Sequence, residues 1–380
     1  MARRSPLARA KNVNPNERRR YSRHMLIPEV GLTGQERLRA SRALVVGAGG
    51  LGSPALQYLA AAGVGRIGIV DDDAVDETNL QRQTIFASAD VGKNKASVAA
   101  ERVKAINPYV NVDPIPVRLD AGNARELVSL YDVVLDCTDR FPTRFLINDA
   151  CFFEKRADVY GSIFRFDGQV SVFGSPGGPC YRCLYPEAPP LDSRPTCAEG
   201  GVLGALAGIV GAWQASEALK MLLQIGDPLI GRLMLVDTLN VLVREVRFER
   251  DPHCALCGEA PSIARIDPQT YDDAPRDAPV DEIEAESLDD ALRVATLLDV
   301  REPHEAVLGT IDGALRIPAS QLDARLHELD SAARYVVACR VGAKSLWAAR
   351  RLHEAGFTRV THLRGGLLAY ATRHQEFDFF

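Results

Sequence analysis

Up to about Gly258, short β-branched runs alternate with longer stretches whose apolar residues recur at helical spacing. That alternation predicts βαβ order, and so an α/β fold with a mostly parallel sheet covered on both faces. A buried strand is expected over Arg42–Gly47 (RALVVG), a helix over Gly52–Ala62 and a second strand over Arg66–Val70. A helix over Lys93–Ile106 and strands near Val110–Val117 and Asp132–Cys137 continue the order. Later runs at Gln169–Gly174, Leu233–Asp237 and Val241–Phe248 read as further strands, some of them antiparallel.

The pattern lapses from Glu259 to about Glu286, where Pro261, Pro268, Pro275 and Pro279 and many acidic residues leave no sustained apolar period. This composition predicts a linker. A compact α/β unit of about a hundred residues follows, with strands at Ala295–Val300 and Tyr335–Cys339 and helices at Lys344–Ala355 and Gly366–Arg373. No internal repeat or low-complexity tract is present.

Composition narrows the function classes. At 380 residues the chain exceeds the usual size of one domain. Its net charge of −5 argues against a general nucleic-acid surface. The basic stretch from Arg3 to Arg23 is the exception and reads as a solvated or partly disordered tail rather than a polyanion site. No segment is expected to span a bilayer: Gly201–Trp213 is short, glycine-rich and followed by Gln214 and Glu217. The N-terminus carries no apolar signal core. Eight cysteines then suit a reducing cytoplasm, where short-spaced pairs favour metal or redox chemistry over disulfides.

The clearest chemistry lies at Gly47-Ala48-Gly49-Gly50-Leu51-Gly52, between the first strand and its helix. Glycines there allow a tight turn and bring N–H groups against phosphate at the positive helix end. Asp71 follows nineteen residues after Gly52, at the tip of the second strand, where an acid binds ribose hydroxyls. These features alone suit a dinucleotide dehydrogenase equally well. Asn79-Leu80-Gln81-Arg82 and Lys95 add two cations and an amide, which suits a triphosphate. Asp139, in Asp136-Cys137-Thr138-Asp139, is placed to hold magnesium.

With Arg20-Tyr21-Ser22-Arg23 and two C-x-x-C pairs, these motifs resemble the MoeB/ThiF family of the ubiquitin-activating-enzyme superfamily across roughly residues 17–258. The resemblance implies a Rossmann-like sheet, ATP, Mg2+, and attack by a protein's C-terminal glycine carboxylate on the α-phosphate. It further implies a homodimer in which Arg23 reaches the partner's site. Arg82 and Lys95 would neutralise the phosphates and Asp139 would hold the metal; Gly47, Gly49, Gly50, Gly52, Asp71 and Asn79 would line the ATP site.

Cys180/Cys183 and Cys254/Cys257 lie seventy residues apart, a spacing that lets two turns each offer two thiolates to a structural Zn2+. Cys197 stands in the glycine-flanked loop Arg194–Gly201. It resembles the thioester cysteine of the larger activating enzymes; a covalent role and a plain crossover loop both remain open readings. Cys137 and Cys151 fall on elements expected to be buried and read as core.

In the second unit, strand Tyr335–Ala338 runs into Cys339-Arg340-Val341-Gly342-Ala343-Lys344-Ser345 and then a helix. A cysteine facing successive N–H groups beside two cations is expected to have a lowered pKa. With Leu298–Glu302, His304-Glu305, Gly309–Ala314, Ile317-Pro318 and Leu363–Gly366, the loop resembles a single rhodanese module over about residues 280–377. That resemblance implies a persulfide on Cys339. A phosphatase would place arginine after a longer C-x₅-R loop, where this chain has Lys344 and Ser345.

The expected division is a tail at 1–16, an adenylyltransferase domain at 17–258, a linker at 259–282 and a sulfurtransferase domain at 283–380. Adenylation converts a carboxylate into an electrophile, and a Cys339 persulfide then delivers sulfur as a thiocarboxylate. Expected partners are a ubiquitin-like sulfur carrier ending in Gly-Gly and a sulfur donor, either a cysteine desulfurase persulfide or thiosulfate. Molybdopterin and thiamin synthesis are among the pathways such carriers feed. Adenylation with a separate sulfur donor, and a carrier-binding scaffold without chemistry, are the competing readings. A dehydrogenase would leave the cysteine pairs and the second unit without a role.

Overall fold

The computed structural model describes residues 13–175, 177–187, 201–271, 280–306 and 309–372. They fall into two compact units, up to Tyr271 and from Val280.

The first unit is built on an eight-stranded sheet in the order β3-β2-β1-β4-β5-β6-β7-β8. Its strands are β1 (Arg42–Val46), β2 (Arg66–Val70), β3 (Asn111–Ile115), β4 (Val133–Asp136), β5 (Ala157–Phe164), β6 (Asp167–Phe173), β7 (Arg232–Asp237) and β8 (Leu242–Arg247). β3 through β5 run parallel, with Val46 beside Val70 on one side and Asp136 on the other. From β5 onward the pairings are antiparallel. Chain order reverses between β1 and β4, and such a switch point opens a crevice at the carboxyl ends of the strands. The buried β1, β2 and β4 are continuous apolar runs, as parallel strands covered on both faces require.

Gly204–Leu223 forms a 20-residue helix packed on the sheet. Gln214 and Glu217, the polar residues that set this segment apart from a membrane span, are both buried. Gln214 Nε2 donates to the carbonyls of Asp136 (2.6 Å) and Val159 (3.0 Å), tying the end of β4 to β5. The Glu217 carboxylate accepts from Leu229 N at 2.9 Å. Among the described residues no helix is long and apolar enough to cross a membrane.

Two expectations are corrected here. The basic N-terminal stretch is not all solvated tail. Asn14 and Glu17 form a capping box on the Pro15–Arg20 helix, Val13 and Tyr21 are buried, and Arg20 donates to the carbonyl of Ile106. Tyr21 Oη accepts from Asn107 Nδ2 at 2.7 Å and lies against Gly63, where any side chain would collide with the ring. The expected linker is likewise ordered at its start. Ile266 and Tyr271 pack on the first unit, and Tyr271 Oη donates to Asp149 Oδ2 at 2.6 Å. Pro268–Tyr271 is a 3₁₀ turn, a form that needs no apolar period.

The second unit holds a five-stranded parallel sheet in the order β11-β10-β12-β13-β9. It comprises β9 (Asp281–Ile283), β10 (Thr296–Asp299), β11 (Leu315–Arg316), β12 (Tyr335–Ala338) and β13 (Val360–Leu363). β9 begins inside the stretch read as linker and closes the far edge of the sheet. The helices Ala343–Glu354 and Gly366–Ala371 follow β12 and β13. Asp299 and Arg301 form a buried bidentate ion pair at the exit of β10, and Arg301 also donates to Gly309 O at 2.7 Å.

Candidate active site

The glycine turn sits at the switch point. Gly47 has φ +91°, and a Cβ there would lie 2.8 Å from the Cys137 carbonyl at the exit of β4. A Cβ on Gly52 would strike the Gly47 carbonyl, so helix Gly52–Ala62 starts against the turn only because position 52 has no side chain. Asp71 Oδ2 accepts from Ala48 N at 2.7 Å and its Oδ1 from Asp73 N at 3.0 Å, which joins the tip of β2 to the turn. Burial pushes the Asp71 carboxyl above its ordinary value, while the Ala48 N–H and Lys95 act against that shift.

Lys95 opens the Lys95–Ile106 helix, is buried, and places Nζ 3.0 Å from Asp73 Oδ2. Asn94 caps the helix and donates through Nδ2 to the carbonyls of Asp71 and Asp73, both at 3.2 Å. The Glu77–Asn79 turn brings Arg82 and Gln83 over the glycines: the Arg82 stem lies 3.6 Å from a Cβ built at Gly50, and the Gln83 amide 3.5 Å from one at Gly49. Asn79 Oδ1 accepts from Gln83 Nε2 at 2.8 Å, and Arg82 Nη1 donates to Thr78 O. Gly47, Gly49, Gly50, Asp71, Asn79, Arg82 and Lys95 are thus gathered around one turn.

Asp136 and Asp139 differ in kind. Asp136 is fully buried, and its Oδ1 accepts from Thr138 N (2.9 Å) and Thr138 Oγ1 (2.7 Å), which fixes the turn after β4. Burial raises its pKa, with the Arg144 guanidinium opposing. Asp139, three residues on, is exposed, and it follows the Cys137 carbonyl and Thr138 N that lie against Gly47. Arg23, on the Ser22–Met25 turn, is exposed and makes no ion pair among the described residues. Gln214 and Arg144 were not legible as site residues, because each acts on the β4 turn from another element; Arg144 Nη2 donates to Thr138 O at 3.1 Å.

Cys180, Cys183, Cys254 and Cys257 bring their sulfurs within 4.8 Å of one another, with separations of 3.6 Å for Cys180–Cys254 and 3.3 Å for Cys183–Cys257. Four thiolates at about 2.3 Å from one ion stand about 3.8 Å apart, so the set fits tetrahedral zinc. The hydrogen bond from Cys180 pulls the Cys183 thiol down to about 5, and Asp251 N also donates to Cys183 Sγ at 3.4 Å. Between the cysteines, Arg182 makes a buried bidentate pair with Asp149, which also accepts from Tyr271. Replacing Cys254 with serine is expected to remove about one zinc per chain and to lower the melting temperature; full metal content in that variant would contradict the site.

Cys197 lies outside the described residues. Cys137 and Cys151 are buried, and burial pushes both thiols well above their ordinary value.

Cys339 follows directly on β12, at the start of its loop. Its sulfur accepts from Gly342 N at 3.1 Å and stands 3.6 Å from Ser345 Oγ. Gly342 (φ +99°) and Gly366 (φ +66°) allow the loop to close under the Gly366–Ala371 helix; a Cβ on Gly366 would strike the Cys339 and Arg340 carbonyls. The expected lowered pKa is corrected. Burial pushes the Cys339 thiol up, and the Ser345 hydroxyl with the N–H groups of Ser345, Gly342 and Val341 only partly offset it. A raised pKa leaves less thiolate at neutral pH than a free thiol holds, and that fraction grows about tenfold per pH unit below the pKa. The alkylation rate of Cys339 by iodoacetamide is therefore expected to keep rising from pH 7 past pH 9; a plateau near pH 7 would contradict this.

A doubly wound nucleotide-binding unit with a four-cysteine cluster, joined to a small parallel α/β unit with a cysteine loop, defines a class of adenylating and sulfur-handling proteins. The chain belongs to the ThiF family, matched over residues 21–256, and residues 281–373 match the rhodanese-like domain. It is 43% identical to a probable adenylyltransferase/sulfurtransferase MoeZ of Mycobacterium tuberculosis, over 96% of both chains. It is 51% identical to the sulfur carrier protein adenylyltransferase of Thermus thermophilus, covering 64% of this chain and 92% of that one. Adenylyltransferase and sulfurtransferase MOCS3 of Mus musculus is 38% identical, covering 97% and 88%. Among solved structures, E. coli MccB with MccA-N7isoASN superposes with a TM-score of 0.58 at 22% identity, covering 63% of this chain and 75% of that chain; this likeness concerns the fold alone.

Proposed function

We propose that the chain adenylates the C-terminal glycine of a ubiquitin-like sulfur carrier with ATP and then replaces the adenylate with sulfur carried on Cys339. The observation that carries this reading is the glycine turn at the β1/β4 switch, bonded to Asp71 and flanked by Arg82 and a buried Lys95, in one chain with the Cys339 loop. Two catalytic units joined through the 259–282 stretch follow from it, acting in the cytoplasm.

In the first step a carboxylate oxygen of the carrier attacks the α-phosphorus, the bond to the β-phosphate oxygen breaks, and pyrophosphate leaves. The N–H groups of the glycine turn and the positive helix end receive phosphate oxygens, and Asp71 holds the ribose. Lys95 exchanges its pairing with Asp73 for phosphate, and Arg82 lies over the same turn. Mg2+, held by Asp139, would supply charge neutralisation to the phosphate oxygens. In the second step the terminal sulfur of a Cys339 persulfide attacks the carbonyl carbon and AMP departs. Attack by a second thiol on the Cys339 sulfur then releases the thiocarboxylate and leaves a disulfide, which a reductant reopens. Cys197 is this chain's candidate for that thiol. Zn2+ on the four cysteines would hold the structure without entering either step.

Arg23, exposed and without an ion pair among the described residues, would complete the site of a partner subunit in a homodimer. Carrier-dependent ATP–pyrophosphate exchange tests the first step. Arg23→Ala and Asp139→Ala homodimers are each expected to be inactive in it, and mixed dimers to recover up to about a quarter of wild-type exchange, since random mixing leaves half the dimers with one intact site. No recovery in verified mixed dimers would place Arg23 in its own subunit's site or remove its role.

A further inference from the structure

We propose that Glu305 selects the sulfur donor of the Cys339 loop, neutralising Lys344 so that the site takes a monoanionic persulfide and discriminates against the thiosulfate dianion. This rests on the reading of Cys339 as a persulfide carrier.

The loop contributes two cations, Arg340 and Lys344. Lys344 Nζ lies 2.7 Å from Glu305 Oε2, and the two side chains are 25% and 3% exposed. The same carboxylate oxygen accepts from Glu302 N at 2.8 Å, so the Pro303–Ala306 helix holds Glu305 against the loop from a different part of the chain. Glu305 Oε1 is buried and has no partner among the described residues, which leaves its negative charge only partly matched. A carboxylate so well buried is retained at a cost, which the Lys344 ion pair and the Glu302 N–H together offset. The pair sums to zero charge. Arg340 is then the loop cation left to match an incoming anion, and its Nε is buried with no hydrogen-bond partner among the described residues.

The two donor classes differ in the charge they bring. With thiosulfate, the Cys339 thiolate attacks the outer sulfur, the S–S bond breaks, sulfite leaves with the electron pair, and Cys339 keeps the persulfide. A dianion must approach a thiolate in a buried loop. With a thiol persulfide, the same attack on the outer sulfur releases the donor's thiolate, and only one charge enters. Charge brought into a poorly solvated site must be matched there. Arg340 matches the monoanion; the dianion needs Lys344 as well, and Glu305 withholds it.

The test loads full-length wild type, Glu305→Gln, Lys344→Gln and the double variant with either cysteine persulfide or thiosulfate. Mass spectrometry of the Cys339 peptide reads the rate at which one sulfur is gained. Wild type is expected to load faster from the persulfide. Glu305→Gln keeps the side-chain shape and is expected to raise the thiosulfate-to-persulfide rate ratio about tenfold, equal to about 1.4 kcal/mol. In the Lys344→Gln background the same change is expected to leave that ratio within about threefold. Wild type loading equally fast from both donors, or Glu305→Gln moving both rates together as a merely structural change would, overturns the inference while leaving Cys339 as carrier. No gain of sulfur from either donor overturns the carrier reading and the inference with it. Should Glu305→Gln not fold, the double variant decides. It removes the pair without changing net charge, so a tenfold shift in its donor ratio from wild type would overturn the proposal.

Discussion

Asp139→Ala is expected to lower acyl-adenylate formation by about 10² to 10³-fold, the usual loss when one charge-stabilising group is removed from a transition state. The attacking carboxylate and the triphosphate are both anionic, and without a metal beside Asp139 their repulsion is left to Arg82, Lys95, the Arg23 of a partner subunit and backbone N–H groups. Asp139 is exposed, so its removal is expected to shift folding stability by no more than about 0.5 kcal/mol. Asp136→Ala is the contrasting variant. It removes the acceptor for two Thr138 hydrogen bonds in the core and is expected to destabilise the unit by about 1 to 3 kcal/mol. Carrier-dependent pyrophosphate exchange and a thermal melt separate the two. Unchanged exchange in Asp139→Ala would remove that residue from the metal site.

Cys339→Ala is expected to separate the half-reactions. Adenylation uses residues of the first unit alone and should proceed at the wild-type rate. Thiocarboxylate formation should fall by about 10³-fold or more, as when a covalent nucleophile is deleted. The fold should survive, because only a buried sulfur is lost and the loop is also held by Gly342, Ser345 and the Gly366 approach. Sulfur delivery at the wild-type rate in this variant would favour adenylation with a separate sulfur donor.

Much of the fold was legible because parallel strands announce themselves as short apolar runs with glycine at the turns. Helix Gly52–Ala62 and strand Arg66–Val70 start and stop at the expected residues. The nucleotide residues were legible for a related reason: each follows a strand or opens a helix, and strand order brings such ends together. Helix Gly204–Leu223 was harder, since it is buried against the sheet and the Gly52–Ala62 helix and so lacks a polar stripe. The docked N-terminal helix was hidden by its arginines. Its anchors, Val13, Tyr21 and the Asn14–Glu17 box, are short-range signals within a basic run. Ile266 and Tyr271 sit among prolines and acids, and Tyr271 is held by apolar packing and by Asp149, 122 residues away, itself paired with Arg182. The direction of the Cys339 pKa shift is not legible in the sequence, which shows nearby cations but not depth. Lys344 is spent on Glu305, 39 residues distant, and burial dominates.

The most direct test of the account is intact mass spectrometry of a Gly-Gly-ended sulfur carrier incubated with this protein, magnesium-ATP, a persulfide donor and a mild reductant. The predicted result is a carrier heavier by the difference between sulfur and oxygen, formed by wild type and absent with Cys339→Ala. An unmodified carrier, under conditions where the protein is folded and Cys339 carries sulfur, would contradict the account.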